Sequence, residues 1–161
     1  MNTEERHPVN YPDNTNILIA VDGSENARRA VTYVAEFLRG LPRVSITLLT
    51  IVSEPPEDYF TGQDERETWV AEHSDAAEKM LREYRLILTG AGFKDTAVDD
   101  KLVVKSCVSI ADCILEEQNK LRSSTIVIGR RGISKKEEFI FGSTSNKILH
   151  SAKNCSLWVI E

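Results

Sequence analysis

Thr125-Ile126-Val127-Ile128-Gly129-Arg130-Arg131-Gly132, nine intervening residues, then Gly142-Ser143-Thr144-Ser145-Asn146-Lys147-Ile148-Leu149 reads as an apolar run, a glycine loop and a helical pattern. Glycine has no Cβ, so such a loop can approach a ligand closely or adopt a positive φ. The hydroxyl residues after Gly142 open a helix, whose free N–H groups and positive dipole end suit a phosphate. A strand, a glycine loop and a helix N-terminus in that order predict a place to hold a nucleotide.

The alternation extends outward through the whole chain. Asn16 to Val21 is a short run rich in Ile and Val, suited to a strand buried on both faces. Asp22-Gly23-Ser24 turns the chain, with Ser24 as N-cap of a helix from Glu25 to about Arg39. Ala27, Ala30, Val31, Val34 and Leu38 recur at three- and four-residue spacing and give that helix one apolar stripe. Val44 to Val52 is a second strand, and a long helix spans about Asp64 to Leu88 with Val70, Ala77, Leu81, Tyr84 and Leu88 facing the core. Val98 to Lys105 is a third strand, diluted by Asp99, Asp100 and Lys101. Ser109 to Leu121 is helical, as is the segment ending near Ser151, and Ser156 to Ile160 is the last strand.

Five strands joined by helical crossovers predict a single-domain α/β fold: an open parallel sheet, Rossmann-like, with helices on both faces. Ligands of such sheets sit beyond the strand C-termini where the winding reverses. An order of 3-2-1-4-5 brings the two chemically equipped strand ends, Asp22-Gly23-Ser24 and Gly129 to Gly132, side by side at that reversal.

Composition removes several function classes. The net charge of −5 argues against nucleic acid as a partner, since phosphate backbones are bound mainly by Lys and Arg. No apolar stretch has the length needed to cross a membrane, and Met1 to Arg6 lacks the apolar core of a signal peptide, so a cytoplasmic setting is expected. Cys107, Cys113 and Cys155 have no metal-site spacing and read as small packing residues of a reducing compartment. His7, His73 and His150 are scattered and read as surface residues, and Trp69 and Met80 as core or its margin. There is no Gly-x4-Gly-Lys-Ser/Thr loop, no Gly-x-Gly-x-x-Gly after the first strand, and no kinase or hydrolase signature. Phosphoryl transfer needs a positioned base, and Asp22 is the sole candidate, so hydrolysis is expected to be slow and no catalytic residue is assigned.

The chain from Asn16 to Ile160 resembles the universal stress protein family. Ile17 to Ser24 is similar to the family's opening strand and Asp-Gly-Ser turn, and Ile46 to Val52 to its second strand. Gly129-x2-Gly132-x9-Gly142-Ser143 resembles the motif of the family's ATP-binding branch. The resemblance implies ATP, with Mg2+, as ligand. It places Ala20, Val21 and the backbone of Ile51 at the adenine, and Asp22 at the ribose or the magnesium ion. Ile128 and Gly129 would lie along the ribose, while Gly132, Gly142, Ser143 and Thr144 wrap the phosphates with Ser145 beside them. It also implies a homodimer joined through the strand 156–160, a regulatory protein as partner, and autophosphorylation at Ser143 or Thr144.

The sequence departs from the family pattern in two places. Val108-Ser109-Ile110 stands where a Gly-Asp-Pro type of turn is usual. The insert 133–141 carries Lys135, Lys136, Glu137 and Glu138, whose acids either weaken polyphosphate binding or face solvent. Asp22 has a second reading as the Asx residue of its own turn. Arg130 and Arg131 read as phosphate contacts or as solvated loop side chains. Residues 1–15, polar with two prolines, are expected to be a mobile arm preceding the domain 16–161, and the loop from Glu54 to Asp64 a lid or an exposed connection. Two function classes stand. One is a nucleotide-dependent regulatory switch or sensor of the stress response. The other is a dimeric scaffold with a vestigial pocket or one holding AMP or a cyclic nucleotide. A slow ATP hydrolase ranks third.

Overall fold

The computed structural model describes residues 15–133 and 141–161. Five parallel strands, β1 (Thr15–Ala20), β2 (Val44–Ser53), β3 (Val98–Lys105), β4 (Thr125–Gly129) and β5 (Ser156–Ile160), form one sheet in the order β3-β2-β1-β4-β5. Four helices, α1 (Glu25–Phe37), α2 (Gln63–Gly90), α3 (Ile110–Leu121) and α4 (Ser143–Ser151), cover its two faces. This is the expected α/β fold and strand order. The expected mobile arm lies outside the described residues except for Thr15, which pairs with Val44 as the first residue of β1. Lys135, Lys136, Glu137 and Glu138 also lie outside them.

Successive strand residues point to opposite faces, so the apolar runs feed two cores. Ile17, Ile19 and Val21 of β1 join Ile46, Leu48 and Val127 beneath Ala30, Val31 and Val34 of α1 and Leu81 and Leu88 of α2. Leu18, Leu49, Ile126 and Ile128 face the other way, against Ala111 and Ile114 of α3 and Ile148 of α4. Val70 is only half-buried, because α2 reaches the core from Ala77 onward. The acidic start of β3 follows from its place at the sheet edge, where Asp99 and Asp100 are exposed.

Winding reverses between β1 and its two neighbours. Ala20, the last residue of β1, pairs with Leu49 of β2 on one side and Ile128 of β4 on the other. The ends of these three strands therefore open at one place, on the side of the second core.

Candidate functional site

The β1–α1 connection is set by Asp22, Gly23 and Ser24. Gly23 takes φ 78°, a left-handed value that glycine adopts without cost. Ser24 caps α1, its Oγ accepting from the Ala27 amide at 3.1 Å. Both readings of Asp22 start from this turn, and the structure shows the Asx bond: Ser24 N–H donates to Oδ1 at 3.1 Å. It also shows a bond that spacing does not reveal. The other oxygen, Oδ2, accepts from the Ile133 amide at 3.0 Å and so ties the turn to the glycine loop 111 positions away.

The glycine loop itself is packed by backbone. None of Gly129, Gly132 and Gly142 has a positive φ, so their lack of a Cβ is what matters. A Cβ on Gly129 would lie 2.8–2.9 Å from backbone and Cβ atoms of Asn26 and Ala27, where β4 abuts the first turn of α1. A Cβ on Gly132 would collide with Asp22 Oδ2. At Gly142 the nearest neighbour of such a Cβ, the Arg130 carbonyl oxygen, is 3.4 Å away. That carbonyl closes the loop, accepting from the Gly142 amide at 3.0 Å and from Ser145 Oγ at 2.7 Å. Ser145 is buried, and its hydroxyl is spent inside the loop.

Gly142 begins α4 as an N-cap with no side-chain capping bond, and the first intrahelical bond runs from Asn146 N–H to the Gly142 carbonyl. The amides of Ser143, Thr144 and Ser145 thus have no acceptor within the helix, and they gather where the dipole is positive.

Between these elements lies a cleft of about 350 Å³. Every residue expected at the site lines it: Ala20, Val21, Asp22, Ile51, Ile128, Gly129, Gly132, Gly142, Ser143, Thr144 and Ser145. Ser24, Ala27, Leu49, Ile110, Ile114 and Ile133, which sequence reasoning missed, complete the lining together with Arg131, which it left open between a phosphate contact and a solvated side chain. Leu49, Ile51, Ile110 and Ile114 make one end apolar, an extension of the second core left open beyond the strand tips. Ile110 and Ile114 are spaced four apart on α3, a spacing that signals an apolar helix face without saying what it faces. The loop from Glu54 to Asp64 contributes no residue to the described lining.

Two arginine neighbours behave differently from each other. The Arg130 guanidinium pairs with Glu161, and its amide donates to the Ile160 carbonyl at 2.6 Å, which joins the loop to the end of β5. Arg131 lines the cleft with its Nε buried and without a hydrogen-bond partner among the described residues. The Arg130 Nε is likewise buried and without a partner among the described residues, so neither Nε opens into the cleft; the donors that suit an anion there are the open amides of α4. Asp22 is the single carboxylate of the described lining. Among the described residues no group of three or more His, Cys, Asp and Glu could by itself hold a metal ion.

The wall formed by α3 is held on both sides. Ser109 caps α3, accepting from the Asp112 amide at 3.2 Å, and Lys147 of α4 reaches back to Asp112 Oδ2 at 2.6 Å and Ser109 Oγ at 3.0 Å. The hydrogen bonds from Lys147 and Ser109 hold the Asp112 carboxyl below its ordinary range. On the far side Cys107 and Cys113 are joined by a disulfide. This corrects the reading of both as separate packing residues: the turn into α3 brings them together, and only Cys155 is free. No helix among the described residues is long and apolar enough to cross a membrane.

The profile described as the Universal stress protein family matches residues 14–161. A Staphylococcus aureus (strain USA300) protein that carries the universal stress protein name is 32% identical over 146 residues, covering 90% of this chain and 82% of that one. The solved structure of the hypothetical protein MJ0577 superposes with a TM-score of 0.77 at 21% identity, covering 92% of this chain and 96% of that one. The Archaeoglobus fulgidus universal stress protein in complex with dAMP does so with a TM-score of 0.64 at 21% identity, covering 93% and 100%. At these identities the two structures speak to the fold alone.

Proposed function

The chain belongs to the universal stress protein family, and from that premise we propose that it binds ATP in the cleft between β1 and β4 as a regulatory switch or sensor of the stress response. The observation that carries this reading is the uncapped N-terminus of α4 at the cleft, where the amides of Ser143, Thr144 and Ser145 have no acceptor within the helix. These donors suit a polyphosphate. Leu49, Ile51, Ile110 and Ile114 at the other end offer an apolar slot for the adenine, with Ala20 and Val21 alongside. Ile128 and Gly129 take the ribose side, and Gly132, Gly142, Ser143 and Thr144 the phosphates. Magnesium, if carried in with the phosphates, would meet Asp22, the one carboxylate of the described lining.

Turnover is not the purpose of such a site. Asp22 already accepts two amide hydrogen bonds, and no other described lining residue is a carboxylate, histidine or lysine able to serve as base. The nucleotide instead sets the loop, and the loop reaches β5 through Arg130. β5 is an edge strand, and we assign it the pairing surface of a homodimer through residues 156–160 that presents the nucleotide state to a regulatory protein in the cytoplasm.

A second reading, a scaffold holding an adenosine monophosphate, draws support from the A. fulgidus relative solved with dAMP. Denaturing freshly purified protein and identifying released small molecules by chromatography and mass separates the two. ATP in near-stoichiometric amount supports the switch, AMP or a cyclic nucleotide supports the scaffold, and calorimetric titration with ATP and magnesium checks either result. Light scattering at twice the chain mass supports the dimer.

A further inference from the structure

The disulfide sits on the wall of the cleft. It joins Cys107, in the connection after β3, to Cys113, in the first turns of α3. Ile110 and Ile114, the two α3 residues that line the cleft, flank Cys113 in the sequence. Ser106, Cys107 and Val108 make no backbone–backbone hydrogen bond outside the strands and helices, among the described residues. The connection is therefore held in place by the covalent bond, and the start of α3 is held to α4 by Lys147. The bond is also reachable from solvent on one side. Ser106 is exposed, Val108 is 98% exposed and Cys107 is half-buried, whereas Cys113 is 4% exposed.

From this juxtaposition we infer that Cys107 and Cys113 form a reversible redox element that sets the apolar wall of the cleft and, resting on the nucleotide reading above, its affinity for ATP. The co-reactant is a dithiol reductant. Its thiolate attacks Sγ of the accessible Cys107, breaking the Cys107–Cys113 bond and releasing the Cys113 thiolate, which takes up a proton. The second thiol then attacks the reductant's own sulfur in the mixed disulfide. That releases the Cys107 thiol and leaves the reductant as a cyclic disulfide, two electrons having passed to the cysteine pair. In a thiol-rich compartment a disulfide of this kind is transient and serves sensing rather than permanent stapling. Once it is open, the connection regains the freedom that closure removed, and Ile110, the first residue of α3, is no longer preorganised for a flat ring, while Ile114 stays packed in the second core.

The test uses the full chain in a Cys155→Ser background, so that only one pair can form. Oxidised and dithiothreitol-reduced samples are compared by hydrogen exchange mass spectrometry and by calorimetric titration with ATP and magnesium. Reduction is expected to speed amide exchange over residues 106–114 and to weaken ATP binding about three- to tenfold, the scale of a lost preorganisation. Adding Cys107→Ser should give the reduced behaviour under both conditions. Equal exchange and equal affinity in the two states overturn the inference, as does alkylation mapping that finds both thiols free after mild oxidation. Redox-dependent exchange over 106–114 in a protein that binds no ATP in either state supports the redox control of the wall and rejects the nucleotide reading alone.

Discussion

Where Gly129, Gly132 and Gly142 line the cleft the wall is backbone, and where Leu49, Ile51, Ile110 and Ile114 line it the wall is side chain. The first end works by what is missing. Without Cβ atoms, β4 can press on α1, the loop can press on Asp22, and amides are left facing the cavity. The second end works by what is present, a layer of aliphatic groups carried past the strand tips from the second core. The two ends therefore fail in opposite ways: adding a methyl damages one, and removing methyls damages the other.

The sharpest way to break this contrast is Gly129→Ala. The new Cβ would lie 2.8–2.9 Å from Asn26 and Ala27, and two of those atoms are backbone that cannot rotate away. Loss of about 3 kcal/mol or more in urea denaturation is expected, at the upper end of overpacking costs. A near-neutral result would mean that β4 and α1 are not in close contact.

Removing methyls from the opposite end comes next. Ile114 is 3% exposed within the second core, and Ile114→Ala should cost about 2–4 kcal/mol by the same measurement. Ile110→Ala, at a half-buried position, should leave stability nearly unchanged while weakening ATP binding, since that side chain faces the cleft more than the core.

Gly132→Ala sharpens the comparison at the polar end. Its Cβ meets a movable carboxylate, so the fold should survive while the loop loses the Asp22–Ile133 bond and ATP affinity falls about tenfold, or ~1.4 kcal/mol. Asp22→Ala removes the same bond. The double variant should then be no weaker than the worse single one, a non-additivity that calorimetry can read. Additive losses would show that glycine and carboxylate act separately.

The smallest effect concerns the ion pairs on the outer side of α3, remote from the glycine end. Hydrogen bonds from Lys105 and Lys120 hold the Glu116 carboxyl down at about 2 against an ordinary 4.5. Hydrogen bonds from Glu116 and Glu117 push Lys120 up to about 12 from 10.5. The depressed carboxylate contributes stability above about pH 4.5, and this is lost as pH falls toward 2. The raised ammonium contributes below pH 10.5, and this is lost as pH rises toward 12. Lys120→Met should therefore lower thermal stability slightly between those limits and merge with the parent beyond both, a modest change because the groups are exposed.

Much of the fold was legible because alternation and helical spacing report burial directly. β3 and β5 have the bounds expected for them, and Ala27, Ala30, Val31, Val34 and Leu38 are buried as their stripe predicts. The polar end of the cleft was legible for a related reason: a backbone that must pack without Cβ atoms leaves glycines at fixed spacing. Its apolar end was legible only in part, at Ile51, which the family resemblance placed at the adenine. Ile110 and Ile114 look the same in sequence whether they meet a core or a cavity, and the strand ends beside them make the difference. Arg131 was indistinguishable from Arg130, since adjacent loop residues carry no periodicity, yet one lines the cleft and the other pairs with Glu161.

Taken by itself, the sequence determined the class of fold, the cap of α1 and the loop that holds backbone donors together, because each is a local consequence of residue type. The tertiary structure alone decided three further matters: that Asp22 clamps Ile133, that α3 supplies the far wall of the cleft, and that Cys107 and Cys113 are bonded to each other. The physical reason is common to all three. Each depends on the separation and direction of groups brought together by the sheet order and the turn into α3, and residue type carries neither quantity.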